Sequence, residues 1–163
     1  MTVNEEDLSE ATATDVLQSL REITSAMDEQ QVTTGSRYLF IAPTLKGVLD
    51  DYSYANPTMS NRVPERFACV IEVPQVRFYT DIDLKSGDSE FGYAKAATGK
   101  DINFVVVEKS AVIKFDKHVA SRVFSPNELE SLDFYMMKYR KYGIVELLDS
   151  KLDGVHVSAA PSV

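Results

Sequence analysis

The chain has 163 residues, of which 44% are hydrophobic and 26% charged, and its net charge at neutral pH is −8. This composition is typical of a globular domain and excludes a chain that is disordered throughout. The acidic balance argues against a surface that coats nucleic acid, and we expect neither a membrane span nor a signal peptide, because no run of residues is long and apolar enough.

The only cysteine, Cys69, lies in the apolar run at 68–71. A lone cysteine cannot form an internal disulfide, so the fold cannot depend on oxidation within the chain. We interpret Cys69 as a small core residue and not as a reactive thiol.

The first predicted helix covers residues 12–33. Residues 1–11 before it are polar, and we expect them to be flexible. Either Thr12, with Asp15 at the spacing of a capping box, or Thr14 can cap the helix, and apolar residues then recur at helical spacing. The stripe predicted to be buried consists of Val16, Leu17, Leu20, Ile23 and Met27.

The segment 34–101 alternates short apolar runs with polar loops. Residues 38–42 are apolar, aromatic and β-branched, which predicts a buried strand. Pro43 ends that strand and suits the first turn of a short helix, which a loop at 54–66 follows. A second strand is predicted at 67–73. Residues 81–101 contain three glycines and little apolar content, so we predict a long exposed loop.

The segment 102–123 carries the clearest strand pattern. Residues 102–107 form a β-branched apolar run, and residues 108–110 have the composition of a turn. Residues 111–115 are again apolar. We therefore predict that the two runs pair with each other as a hairpin.

A second helix is predicted to begin near residue 125. Ser125 suits the cap position, Pro126 the first helical position and Glu128 the third position of a capping box. Gly143 suits the position after the helix end. The predicted inward-facing residues are Leu129, Leu132, Met136 and Tyr139.

Short strands at 144–148 and 155–157 are predicted to complete the segment 124–158, and a small polar tail follows at 159–163. The sum is a mixed α and β protein whose strands are clustered between helices. It lacks the regular alternation of a nucleotide-binding sheet, so the predicted class is α+β.

Residues that could carry catalysis are few. The two histidines, His118 and His156, have no nucleophile motif near them. One cysteine and two distant histidines do not supply the ligand spacing of a zinc site. The segment 81–88 is similar to a calcium loop, but Lys85 occupies a ligand position. With no phosphate-binding glycine motif present either, we expect no catalytic residue, metal or cofactor.

The cluster at 134–142 is basic and aromatic, a mixture that suits stacking against nucleic-acid bases. A helix with its apolar residues inward and its basic residues at the C-terminal end of the dipole accounts for the same pattern. We favour the helical interpretation.

Several segments follow one another in a recognisable order. An amphipathic helix that includes 16–20 precedes a strand ending at Pro43, and a second strand ends at Pro74. The later motifs lie at 102–112, 124–126, 139–143 and 151–157. In this order the segments resemble the C-terminal part of tailed-phage major capsid proteins, whose fold is shared with encapsulins.

The resemblance implies a fold with two lobes. The helix at 12–33 would be the spine helix of a peripheral lobe, together with long antiparallel strands such as those of 102–123. Residues 34–101 would form most of a mixed α/β axial lobe. Family members also carry an N-terminal arm and an extended hairpin loop before the spine helix, and this sequence leaves no room for either.

The resemblance also implies a function. The chain would be a structural subunit, not an enzyme, of an icosahedral phage or prophage capsid, made in the host cytoplasm and ending in the virion. Copies would assemble into pentamers and hexamers that enclose double-stranded DNA without sequence-specific contact and without a membrane. Scaffold, portal or decoration proteins would be further partners. The alternative is a small α/β ligand-binding module or enzyme with the loop 81–101 over a pocket.

Overall fold

The computed structural model describes residues 2–56, 66–128 and 133–161. Two compact units are present. The first, called the body, comprises Met1–Ala111 and Asp149–Val163; the second, called the ribbon, is Val112–Leu148. Within the described residues, no helix is long and apolar enough to cross a membrane.

The body is built on a mixed five-stranded sheet. Its helices are α1 (Ala13–Glu29) and α2 (Pro43–Ala55), and its strands are β1 (Thr2–Glu5), β2 (Arg37–Ile41), β3 (Cys69–Glu72), β4 (Ile82–Leu84), β5 (Tyr93–Lys95), β6 (Ile102–Glu108) and β9 (Val155–Ala159). The sheet order is β1-β9-β6-β2-β3, and β4 and β5 form a separate two-stranded hairpin. β6 is antiparallel to both β2 and β9, whereas β1 is parallel to β9 and β3 to β2.

Helix α1 begins as its sequence predicts. The backbone N–H of Thr12 donates a hydrogen bond to the Asp15 carboxylate at 2.9 Å, as in a capping box. The structure buries Val16, Leu20, Ile23 and Met27 and leaves Leu17 partly buried against the core. Because these residues lie on one face, α1 contributes a continuous apolar stripe to the core.

The core lies between this stripe, α2 and one face of the sheet. Leu39 on β2 and Phe104 and Val106 on β6 are almost fully buried, as strand alternation requires when one face of a sheet is covered. Leu45 on α2 completes the same cluster. The α+β class predicted from the sequence is confirmed.

Arg37 anchors the C-terminal half of α1 to β2. Its side chain is only 2% exposed, and the guanidinium donates to Asp28 at 2.7 Å and to the backbone carbonyls of Thr24 and Val32. A cation near the end of a helix is favoured by the helix dipole and by the carbonyls that lack helical partners there. The contact therefore fixes the position where the chain leaves α1.

The ribbon consists of two long antiparallel strands, β7 (Val112–Phe124) and β8 (Met136–Leu147). They pair from Val112 opposite Leu147 to Phe124 opposite Met136, with one register shift between Asp116 and His118. Among the described residues between the strands, Pro126–Glu128 form a short 3-10 turn.

The predicted second helix is wrong over Met136 and Tyr139, which belong to β8, while Leu129 and Leu132 lie outside the described residues. The start signal itself forms, since the N–H of Ser125 donates to the Glu128 carboxylate at 2.9 Å. Pairing with β7 along the whole of β8 prevails over the local helical spacing, and the aromatic and β-branched residues of β8 suit a strand.

The predicted hairpin over 102–123 is also wrong. The first run, β6, lies between β2 and β9 in the sheet and does not pair with β7. A short 3-10 helix, Lys109–Ala111, separates the two runs, and the second run begins the ribbon. The sequence pattern identified the strands correctly but not their partners, because pairing depends on segments far away in the chain.

Three smaller expectations are corrected. Residues 2–5 are not flexible but form β1, because the edge of β9 offers free backbone groups with which this polar segment pairs. The segment 81–101 is exposed but contains the β4–β5 hairpin. Cys69 is exposed on β3 and is not a core residue.

The division between a spine helix at 12–33 and an axial lobe at 34–101 stays a prediction, but the two segments share a core. Met27 of α1, Leu39 of β2 and Leu45 of α2 belong to one buried cluster. Because an amphipathic helix buries its stripe against its nearest apolar neighbours, α1 is part of the same core as the segment that follows it.

We predict that Leu39→Ala lowers the free energy of unfolding by about 2–5 kcal/mol, because it leaves a cavity in a packed core. The matched control is Leu84→Ala on β4, where the side chain is 81% exposed. That change should cost less than about 0.5 kcal/mol. Urea denaturation of both variants tests this, and equal losses would contradict the position of the core.

Candidate interaction surfaces

The two faces of the ribbon differ in chemistry. Residues directly opposite each other in an antiparallel pair lie on the same face, and faces alternate along each strand. One face, called the apolar face, carries the exposed side chains of Val119, Val123, Met137, Tyr139 and Val145. The other, called the basic face, carries the exposed side chains of Phe115, Arg122, Lys138, Arg140 and Tyr142.

Both faces leave large hydrophobic side chains in solvent. Of the large exposed hydrophobic residues in the described chain, ten belong to the ribbon and eight to the body, although the body is the larger unit. An isolated two-stranded hairpin is marginally stable at best, and contiguous apolar surface of this kind marks an interaction site. The ribbon therefore has the properties of a surface that binds another molecule.

The basic face carries three cations close together, with Glu146 on the same face. After the hydrogen bonds from Ser125, the charge of Arg122 also contributes to lowering the pKa of Glu128. Arg122 and Lys138 are directly opposite each other, an arrangement of like charges that destabilises a strand pair. Both cations lie over the Phe124 ring, at 4.5 Å and 5.1 Å from its centroid. Neither they nor Arg140 form an ion pair with a carboxylate in the described part of the chain, whereas Lys141 on the other face pairs with Asp116 at 3.2 Å.

The body carries the opposite charge. The ribbon segment 112–148 contains six basic residues (Lys and Arg) and five acidic ones (Asp and Glu). The rest of the chain contains eleven basic and twenty acidic residues. Within the strands β7 and β8 the imbalance is larger, with six basic residues and two acidic ones. Charge is thus segregated between the two units.

An open groove of about 550 Å³ lies in the body between α1 and the β1–β9 end of the sheet. Its lining includes the carboxylates of Glu6, Glu22, Glu29 and Asp153 and contains no lysine or arginine. None of the four forms an ion pair with a described residue. This surface is called the acidic groove.

His156 also lines the acidic groove without offsetting its charge. Its side chain is buried, and one ring nitrogen lies 3.1 Å from the backbone oxygen of Asp153. Burial lowers the pKa of His156 below its usual value, which outweighs the opposing effect of Asp153. The imidazole is therefore neutral at pH 7 and adds no positive charge to the groove.

The chain leaves and re-enters the body at a set of polar contacts around Glu108. Its carboxylate accepts hydrogen bonds from the hydroxyl of Ser36 at 2.7 Å and from the hydroxyl and backbone N–H of Ser110. Lys151 donates to the Ser110 hydroxyl in turn. The Ser110 hydroxyl thus links the residues just before β7 to those just after β8, since it donates to Glu108 and accepts from Lys151.

The structure brings the predicted stripe of α1 together in the core, but it does not bring together the described residues of the predicted second helix stripe. Met136 and Tyr139 lie on opposite faces of β8 and not on one buried stripe, and Tyr139 is 59% exposed. His156 is buried. Sequence reasoning noted the basic and aromatic cluster at 134–142 but placed it on a helix, and so it missed that the alternation Met137-Lys138-Tyr139-Arg140 puts cations on one face of a strand.

Neither of the two best-formed grooves in the described chain includes a residue of 81–101. The second groove contains Arg37 and Arg66, and Arg66 donates to the Thr24 hydroxyl at 3.1 Å. No cluster of three or more potential metal ligands is found among the described residues.

Comparison with known proteins identifies the fold. No protein-family model matches the sequence, and no curated protein matches it. A chain in the capsid structure of the cyanophage P-SCSP1u is similar, with a TM-score of 0.66, 16% sequence identity and coverage of 99% of this chain. This chain spans 54% of the length of that capsid chain. The protein thus has a fold like that of a phage capsid protein.

We predict that the Glu108→Gln variant loses less stability than wild type when the pH is lowered. Burial acts to raise the pKa of Glu108, but the hydrogen bonds from Ser110 and Ser36, with the charge of Lys151, lower it overall. A carboxyl whose pKa is lower in the folded than in the unfolded state stabilises the fold at any pH above its unfolded-state pKa. That stabilisation is lost as the pH falls through the folded-state pKa.

Urea denaturation at pH 7 and at about pH 3 measures the effect. Wild type should lose more stability between the two pH values than the Gln variant does. The control is Glu72→Gln, at an exposed position on β3, which should keep the wild-type difference. An unchanged difference in Glu108→Gln would contradict the role of this carboxylate.

Proposed function

We propose that the protein is a non-enzymatic structural subunit of the icosahedral capsid of a phage or prophage. The observation that carries the proposal is the similarity of fold to a cyanophage capsid chain over 99% of this chain. On this proposal the subunit is made in the host cytoplasm, assembles with copies of itself into pentamers and hexamers, and becomes part of the virion.

The exposed ribbon supports an assembly role. Val145 and Met137 are 67% and 69% exposed although they lie in a long strand. Subunits of a closed shell gain stability from many repeated contacts, so surface that is costly in the isolated chain becomes buried on assembly. The proposal assigns the two faces of the ribbon to such contacts, with copies of the chain or with scaffold, portal or decoration proteins.

The finer assignment is that the chain provides part of a major capsid protein. It accounts for 54% of the length of the cyanophage chain, so the remainder of such a subunit has no counterpart in these 163 residues. The net charge of −8 suits a subunit that encloses double-stranded DNA without gripping it, since repulsion between like charges limits tight contact.

The alternative, a ligand-binding module or enzyme with 81–101 over a pocket, has less support. The two best-formed grooves in the described chain are lined by residues outside 81–101. We therefore retain the structural role as the proposed function.

We predict that the purified chain forms rings or larger assemblies at concentrations up to about 100 µM, the range in which weak repeated contacts become populated. Sedimentation velocity and negative-stain electron microscopy would detect them. A chain that stays monomeric throughout this range, with a folded circular dichroism spectrum, would contradict the proposal.

A matched pair of substitutions tests whether the ribbon is responsible. Val145→Asp on the apolar face should weaken association at least about tenfold, because it places a charge in an apolar contact. Val76→Asp changes a valine of similar exposure in the body, 70% against 67%, and should leave association unchanged. If the two variants weaken association equally, the assignment of the ribbon to the interface is contradicted.

A further inference from the structure

We infer that the basic face of the ribbon docks into the acidic groove of a second copy of the chain. This inference rests on the proposed function and deepens it, because it names which two surfaces of the subunit meet. The occupant of the ribbon face is thus another subunit and not a nucleic acid.

The first argument is that the basic side chains lie close together on one face without forming ion pairs in the described chain. Arg122 and Lys138 face each other across the strand pair, and Arg140 follows on the same face. None of the three forms an ion pair in the described chain, although Glu146 shares their face and the charge of Arg122 acts on the Glu128 carboxylate. Like charges placed opposite each other destabilise the ribbon until an acidic surface covers them, so this face is suited to a negatively charged partner.

The second argument is the complementary surface on the same molecule. The acidic groove presents Glu22 and Glu29 from α1, two helical turns apart, with Glu6 and Asp153 beside them. The ribbon face also carries aromatic rings beside its cations, since Phe115 and Tyr142 are 60% and 57% exposed.

The third argument concerns symmetry. The ribbon and the acidic groove are different surfaces, so their contact between two copies is heterologous, and a heterologous contact that repeats with a closing rotation generates a ring. A protein whose copies join ribbon to groove therefore needs no second interface to make a cyclic oligomer. This is the type of contact that a pentamer or hexamer requires.

Nucleic acid is the competing occupant of a basic and aromatic face. The net negative charge of the body makes nucleic acid the less favourable occupant, because the body contains twenty acidic residues and only eleven basic ones. A nucleic acid bound to the ribbon would have to approach this negative charge, whereas the acidic groove of a second copy makes use of it.

The test is a charge swap in the full 163-residue chain. The double variant Lys138→Glu with Arg140→Glu should weaken self-association at least about tenfold, because it turns attraction into repulsion at the interface. Adding Glu22→Lys and Glu29→Lys to the same chain should restore association to within about threefold of wild type. All four positions are exposed, so the fold is maintained, which circular dichroism and urea denaturation verify.

The control is Arg77→Glu with Lys109→Glu, two exposed cations of the body that produce the same change in net charge. Neither residue lines the acidic groove. Association of this variant should stay within about threefold of wild type, and wild-type association should weaken as salt rises from about 50 mM to about 500 mM.

The outcomes separate the inference from the proposed function. If assemblies form but the Lys138 and Arg140 variant assembles as wild type does, or the added lysines on α1 fail to restore it, the docking inference is overturned and the capsid proposal stands. If the basic face instead binds a single-stranded DNA oligonucleotide and self-association is unaffected by the swap, nucleic acid is the occupant. If no assembly forms at all, both proposals fail.

Discussion

A two-stranded ribbon cannot bury its own side chains, and the rest of the account follows from that constraint. β7 and β8 pair along their whole length, which satisfies one row of backbone hydrogen bonds on each strand. In the described part of the ribbon no third strand pairs with either outer edge. Val119, Tyr139 and Val145 are all more than half exposed, so we infer that the ribbon gains stability when other surfaces cover them.

The body has the opposite character. Its sheet is covered by α1 and α2, and its centre, β6, is flanked on both sides by other strands. Glu108 at the end of β6 accepts hydrogen bonds from Ser36 and Ser110, all within the body. The body therefore folds around its own core, whereas the ribbon leaves many of its large apolar side chains exposed.

Local sequence patterns predicted the elements of the body well. The stripe of α1, the apolar run of β2 and the alternation in β6 each carry a signal within a single segment, because one face of each is buried. β1 was missed since Thr2–Glu5 is polar and forms a strand only when β9 lies beside it. The exposure of Cys69 was missed because β3 is at an edge of the sheet, which the sequence alone does not reveal.

The ribbon shows where local reasoning fails. Met136 and Tyr139 are three residues apart, a spacing that fits a helix, and Ser125 with Glu128 supplies a genuine cap just before them. The alternation of Lys138 and Arg140 with Met137 and Tyr139 competes with that pattern and prevails, because β7 provides a partner over the full length of β8. The segregation of charge between ribbon and body was hidden for a related reason, since it emerges only once the two units are known.

Amide hydrogen exchange of assembled and dissociated protein tests the central claim most directly. The account predicts that amides of β7 and β8 exchange much faster than those of β6 in the dissociated chain and become strongly protected on assembly. If the ribbon is already as protected as β6 in the monomer, or gains no protection when the protein assembles, it is not the surface that joins subunits.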